Sequence, residues 1–326
     1  MRAPLLIVGQ GLAGTLLGHA CERAGLAFAI ADAGHAGAAS RVGAGIINPI
    51  TGQRIVKNRG IDVLRAPALE MYRELEAVLG VPLVREMRVR RLFRDDTERR
   101  VFAEKTARGE LAPYTDAGGA DAEGFWIEGA LRIDTATLIA AARARWLRQG
   151  VLREERVGLA EALHDYETVI ACTGADVAEA WGGVPCVLAL GHILRVAVAG
   201  LAPDVILNRG HWVLPTPPGE ARVGATYVRG AAGDAEAART ELERSAEELL
   251  GRGAFSVLGQ DSGLRVTTPD RMPIAGRDPR ERRLGIFNGL GSKGALLAPW
   301  LARQWVAQLG AGAEFAAEIA AARFGR

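Results

Sequence analysis

The chain is poor in several features that would each name a class of protein. It has only three cysteines, Cys21, Cys172 and Cys186, an odd number without metal-ligand spacing. That excludes a disulfide framework and a cysteine-held metal, and fits a reducing, cytoplasmic compartment. Lysine is scarce, limited to Lys57, Lys105 and Lys293. The 40 basic and 38 acidic residues leave a net charge of +2, with the basic residues scattered, so no nucleic-acid partner is expected. No apolar run approaches about 18 residues, so no membrane span is expected. Repeats and low-complexity linkers are missing too. The N-terminus, one Arg followed by apolar residues, is read as a strand rather than a leader. What remains is 326 residues, 49% of them hydrophobic, enough for two intimate domains or one large one.

Leu5-Leu6-Ile7-Val8 reads as a buried parallel strand, and Gly9-Gln10-Gly11-Leu12-Ala13-Gly14 follows at once. Thr15 to Arg23 then has the apolar spacing of a helix. Strand, glycine turn and helix are the context in which G-x-G-x-x-G binds a dinucleotide. Gly9 permits the tight turn, Gly11 admits a pyrophosphate to the backbone, and Gly14 lets helix and strand pack closely. The helix start offers free N–H groups and a favourable dipole to the phosphates. A second strand, Ala27 to Ala31, ends at Asp32, spaced to hold an adenosine ribose through its hydroxyls; an acid there favours NAD or FAD over NADP.

Downstream, Ser40 to Arg54 is dense in small residues. It is either a surface turn or a loop pressed against a ligand. Pro67 to Leu79 reads as a helix with Pro67 in its first turn. Val84 to Phe93 reads as a strand with solvated arginines, and Phe125 to Ile133 as another. Asp134 caps a helix through Arg148. Val151 to Val157 is a short strand placing backbone near an adenine. Glu167 to Ala175 reads as a second apolar strand ending in Thr173-Gly174; Cys172 within it reads as a small buried hydrophobe rather than a reactive thiol. From Gly191 to Tyr227, strands alternate with hairpin-type turns, one at 217–219. His192 and His211 lie on these strands, either as a base or as structural histidines. Asp234 caps the helix Ala235 to Leu250. Leu284 to Phe287 leads into Asn288-Gly289-Leu290-Gly291-Ser292-Lys293-Gly294. That second glycine-rich turn opens an apolar helix from Ala295, with Pro299 near its first turn. No metal site is expected.

At these residues the chain resembles the FAD-dependent oxidoreductases of the D-amino-acid oxidase, glycine oxidase and sarcosine oxidase superfamily. GQGLAG with Asp32, SRVGAGIINP, HWVLP with ARVGATY, GLRVTTPDRMPIAG and FNGLGSKGALLAP match its segments in order. The resemblance implies an α/β fold, with a Rossmann-like FAD domain assembled from segments 1–80, 134–185 and 258–326. It also implies a substrate domain on an antiparallel sheet from 81–133 and 186–257. It implies oxidation of a C–N bond in a small amine or amino acid by hydride transfer to the flavin, with oxygen or a quinone as final acceptor. FAD would be non-covalent, touching Gly9, Gly11, Leu12, Ala13, Gly14, Asp32, Ser40, Arg41, Ala44, Gly45, Ile46, Val157, Thr173, Gly174, Gly289, Gly291, Ser292, Lys293 and Gly294. Arg265 matches the arginine that pairs with the substrate carboxylate; the other reading is a brace for Asp270 or a surface carboxylate. Trp212 stands where relatives carry a tyrosine, Ser292 where glycine oxidase has a second arginine, and Tyr227 shapes the pocket. Lys293 either approaches the flavin C2 carbonyl or covers the helix end. Two alternatives stand beside this reading. One resembles the FAD-dependent part of the bifunctional tRNA wobble-uridine enzyme, which removes a carboxymethyl group from a modified base. The other is a flavin-binding subunit that needs an electron-transfer partner.

Overall fold

The computed structural model describes residues 2–34, 38–177, 184–216 and 218–324; Pro217 of the expected 217–219 turn lies outside them. Two sheets carry the fold. The first has six strands, in the order Ile274–Arg277, Leu284–Asn288, Tyr166–Ala171, Ala3–Val8, Ala29–Ala31, Leu152–Arg153. All neighbours are parallel except the first two. Ala3–Val8 is central because Leu5, Leu6, Ile7 and Val8 are buried on both faces, as helix-covered parallel strands require. The helices Leu12–Arg23 and Gly294–Ala311 pack against each other, and Leu16, Leu17, Leu297, Leu301 and Trp305 share one core.

The second sheet runs Val228–Arg229, Val187–Val198, Glu220–Gly224, His211–Pro215, Val205–Arg209, Val84–Leu92, Gly124–Ile133, Ile46–Ile47, and Phe255–Thr267 also pairs with Val187–Val198. It is antiparallel except where Val205–Arg209 meets Val84–Leu92. The helix Ala235–Leu250 covers one face, where Leu194, Val196, Val213 and Val223 meet Leu242 and Ala246. Side chains alternate along each strand, so Ile193 and Trp212 turn to the other face, toward the cavity described below. This α/β architecture is the one expected.

The structure differs from the sequence reading in several places, and the strand expected from Val151 to Val157 is limited to Leu152–Arg153. The helix expected from Pro67 starts at Ile61, and Pro67 lies inside it. A proline removes the N–H that would bond the carbonyl four residues back; here that residue is Val63, 70% exposed. Pro299 likewise lies inside Gly294–Ala311, and it deprives the buried Ala295 carbonyl. The Tyr72 hydroxyl donates to that oxygen at 2.9 Å instead. Phe255–Thr267 is one strand, paired along Val187–Val198, and runs through the expected boundary at 257/258. The arginines of Val84–Leu92 are not all solvated. Arg91 is buried and paired with buried Glu98. Glu98 belongs to the helix Asp96–Ala107, capped by Asp95, which accepts from the Glu98 N–H at 2.8 Å.

Candidate active site

Both sheets open onto one cavity of about 1790 Å³. That exceeds the roughly 300–1,000 Å³ of a pocket for one small ligand, leaving room for a long ligand and a second molecule. At one end stands the glycine fingerprint. Gly9 has φ 98°, and a Cβ there would lie 2.5 Å from the Cys172 carbonyl oxygen. A Cβ on Gly14 would lie 1.9 Å from the Gly9 oxygen, so only glycine permits this strand–helix contact. Gly11 is the N-cap and brings no side chain to the helix start, where the Leu12 N–H donates weakly to Ser40 Oγ at 3.3 Å. The first turn is therefore free for an anion. Asp32 accepts from the Gln10 N–H at 2.7 Å and the Gly34 N–H at 2.8 Å. Burial pushes its carboxyl up, but these bonds and Arg143 outweigh that and leave it below the usual carboxylate value. Gly45 (φ 69°) closes the flanking loop against the sheet, where a Cβ would meet the Ile133 oxygen at 1.9 Å.

The residues expected at the cofactor fall largely together. Gly9, Gly11, Leu12, Ala13, Asp32, Ser40, Arg41, Ala44, Gly45, Ile46, Val157, Thr173, Gly174, Gly291, Ser292 and Gly294 line the cavity. Gly14, Gly289 and Lys293 are not in its wall. Gly14 is spent on packing, and Gly289 (φ 73°) turns the chain beside Ile274. Lys293 is the N-cap residue of the last helix and carries no side-chain cap bond. Burial, then the charges of Arg271 and Arg59, lower its pKa.

At the other end, Arg265, Trp212 and Tyr227 line the cavity. A Cβ on Gly191 would meet Arg265 Nη1 at 2.1 Å, so the guanidinium lies flat over that glycine. It donates to the Thr226 carbonyl at 3.1 Å and sits 5.8 Å from the Tyr227 ring centroid. Among the described residues it has no carboxylate partner. Asp270, the alternative partner, is held by Arg323 at 2.8 Å. Tyr227 is 56% exposed, at the cavity mouth. Trp212 lies over Gly224, where a Cβ would come within 2.7 Å of its ring. Register then sets a row across the sheet: Ile193 opposite Gly224, Gly224 opposite Trp212, Trp212 opposite Asn208, Asn208 beside Arg91. Asn208 lines the cavity three strand spacings, about 14 Å, from the strand of Gly191. It was missed in the sequence because only register brings it there. Arg143 was missed as well.

The histidines stand apart from this wall. His192 Nδ1 meets Gln260 at 2.9 Å, and His211 is held by Ser245 at 2.8 Å and Glu241 at 3.1 Å. Burial pushes the Cys172 thiol well above its ordinary value, in keeping with a small buried hydrophobe.

Fold and site thus define a dinucleotide-binding α/β protein whose second sheet walls the far end of the cavity. The sequence profile of the family described as FAD dependent oxidoreductase matches residues 5–309, and the chain belongs to that family. It is 31% identical over 94% of its length to the tRNA 5-methylaminomethyl-2-thiouridine biosynthesis bifunctional protein of Maricaulis maris, covering 52% of that protein. The chain spans about half the length of the curated relatives it matches. Its fold resembles iminodiacetate oxidase from Chelativorans sp. (TM-score 0.76, 21% identity, 95% of this chain and 96% of that one). It also resembles glycine oxidase from Geobacillus kaustophilus (TM-score 0.74, 21% identity, 97% and 96%). The protein is FAD-dependent, and the glycine cradle, the uncapped helix start and Asp32 fit that group. No helix among the described residues is long and apolar enough to cross a membrane.

Proposed function

We propose that the protein oxidises the C–N bond of an amine bearing a carboxylate, either an amino acid or an N-substituted glycine. The observation that carries this is the half-buried Arg265 guanidinium, packed over Gly191 and facing the cavity without an anionic partner among the described residues. An uncompensated buried charge is costly, and a carboxylate ligand relieves it through paired charge-assisted hydrogen bonds. FAD, when bound, supplies the two-electron acceptor for hydride from the carbon next to nitrogen. The chain holds and orients. Arg265 fixes the carboxylate, the Trp212 ring forms the floor over Gly224, and Tyr227 screens the mouth. In the same reading the six-stranded sheet serves the cofactor, which is held without a covalent bond, and the antiparallel sheet serves the substrate. Arg265→Met should raise KM for N-methylglycine at least tenfold, about 1.4 kcal/mol, with the flavin retained. Unchanged KM would remove the assignment.

A second reading places the amine on a tRNA base. The curated relatives' name favours it, and so does the floor from Gly191 to Asn208, about 14 Å, longer than a free amino acid needs. The small net charge opposes it. Filter binding of bulk tRNA to wild-type protein separates the two: retention at moderate salt supports the second, and none supports the first.

A further inference from the structure

Arg143 sits on the helix Thr135–Arg148, 111 residues from Asp32 in sequence, and every donor it has is engaged. Nη1 donates to Asp32 Oδ1 at 2.7 Å and to Gln10 Oε1 at 3.2 Å. Nη2 donates to the Asp32 carbonyl at 3.2 Å and to Glu154 Oε1 at 2.9 Å, and Nε donates to Glu154 Oε1 at 3.1 Å. An arginine has five N–H donors, so none is left for a phosphate. Two carboxylates, Asp32 and Glu154, also balance its charge.

Gln10, the residue between the first two fingerprint glycines, is equally committed. It is 3% exposed. Its amide donates to Thr15 Oγ1 at 3.1 Å and to the Ile139 carbonyl at 3.0 Å, while its oxygen accepts from Arg143. Gln10 thereby ties the fingerprint turn to two helices and aims Arg143. Asp32 now has one oxygen, Oδ1, filled by Arg143 and the Gly34 N–H. The other, Oδ2, accepts only the Gln10 N–H among the described residues. A carboxylate oxygen takes two hydrogen bonds, so Oδ2 keeps one vacancy facing the cavity.

We propose that Arg143 and Gln10 are positioning residues that lock the Asp32 carboxylate so that Oδ2 receives a ribose hydroxyl, and that this lock sets the preference for a flavin carrying an adenosine. Both residues line the cavity, but their donors are spent on protein acceptors, so both act through Asp32. The inference needs only the FAD dependence of the family and is independent of the substrate assignment.

The test compares FAD with FMN, which lacks the adenosine, by fluorescence titration of full-length protein freed of flavin. In Arg143→Met the Kd for FAD should rise about tenfold or more, the effect of losing one well-placed polar contact, with FMN unchanged within about twofold. Gln10→Ala should move the ratio the same way. Proportional weakening of both flavins, or no change in either, would overturn the proposal. Should Arg143→Met fail to fold, Arg143→Lys decides: it keeps the charge without the fork, and an FAD-to-FMN ratio equal to wild type would refute the lock.

Discussion

Pro299 and Tyr72 form a repair whose energy can be worked out. Pro299 has no N–H for the Ala295 carbonyl, and the surroundings are buried, with Ala295 7% exposed and Tyr72 fully buried. The Tyr72 hydroxyl donates to it at 2.9 Å from 223 residues away, and burial pushes its pKa up so that it stays protonated. Tyr72→Phe removes the donor and leaves the carbonyl unsatisfied, at a cost of about 1–3 kcal/mol. For a chain of 326 residues that lowers Tm by about 1.5–4 °C, from an unfolding entropy near 2 cal/mol/K per residue. Pro299→Ala restores the helix bond to the same oxygen, so the two changes must couple. In the Pro299→Ala background Tyr72→Phe should cost under half as much, a coupling outside ordinary additivity. Denaturant midpoints of the four proteins of this cycle measure it. Strict additivity would refute the repair and unlink Tyr72 from the helix start that carries Gly294 and Ala295 into the cavity wall.

Three further outcomes follow from the geometry. Gly191→Ala places a methyl within 2.1 Å of Arg265 Nη1 and should displace the guanidinium, reproducing the KM rise of Arg265→Met while leaving FAD affinity unchanged; a wild-type KM would contradict the stacking. Arg265→Lys should recover only part of the loss, because a point charge cannot match the two-pronged contact; full recovery in steady-state kinetics would count against bidentate binding. At Asp270, burial raises the carboxyl, but Arg323, Thr268 and the Met272 N–H outweigh it and bring its pKa to about 2. A depressed carboxyl stabilises above its unfolded value near 4 and loses that contribution as pH falls. Asp270→Asn should therefore lower the denaturant midpoint at pH 7, with the gap to wild type closing between about pH 4 and pH 2; a pH-independent gap would exclude the ion pair.

What the chain reveals before folding is what depends on near neighbours. Gly9, Gly11, Gly14 and Asp32 declare a nucleotide site because strand, turn and helix are consecutive, and Asp134 and Asp234 declare helix starts because the N–H groups they accept from lie within three residues. Asp95 with Glu98 carries the same signal for Asp96–Ala107, hidden by a helix with few apolar residues. Arg265 is legible as a motif member, but its freedom from Asp270 depends on Arg323, 53 residues beyond Asp270. Asn208 enters the site through register with Trp212 and Arg91, which no spacing encodes. Arg143 reaches Asp32 only because two helices and a strand end converge on Gln10. Pro299 reads as a first-turn residue until Tyr72 is placed beneath it.

The central claim, oxidation of a C–N bond in an amine anchored by its carboxylate, is tested most directly by the anaerobic visible spectrum of the flavin-loaded protein. N-methylglycine, N-benzylglycine and the methyl esters of both are each added in turn. Loss of the flavin band with an acid and not with its ester is the predicted result. Equal bleaching by acids and esters, or none by any amine or by tRNA carrying a modified wobble uridine, would contradict it.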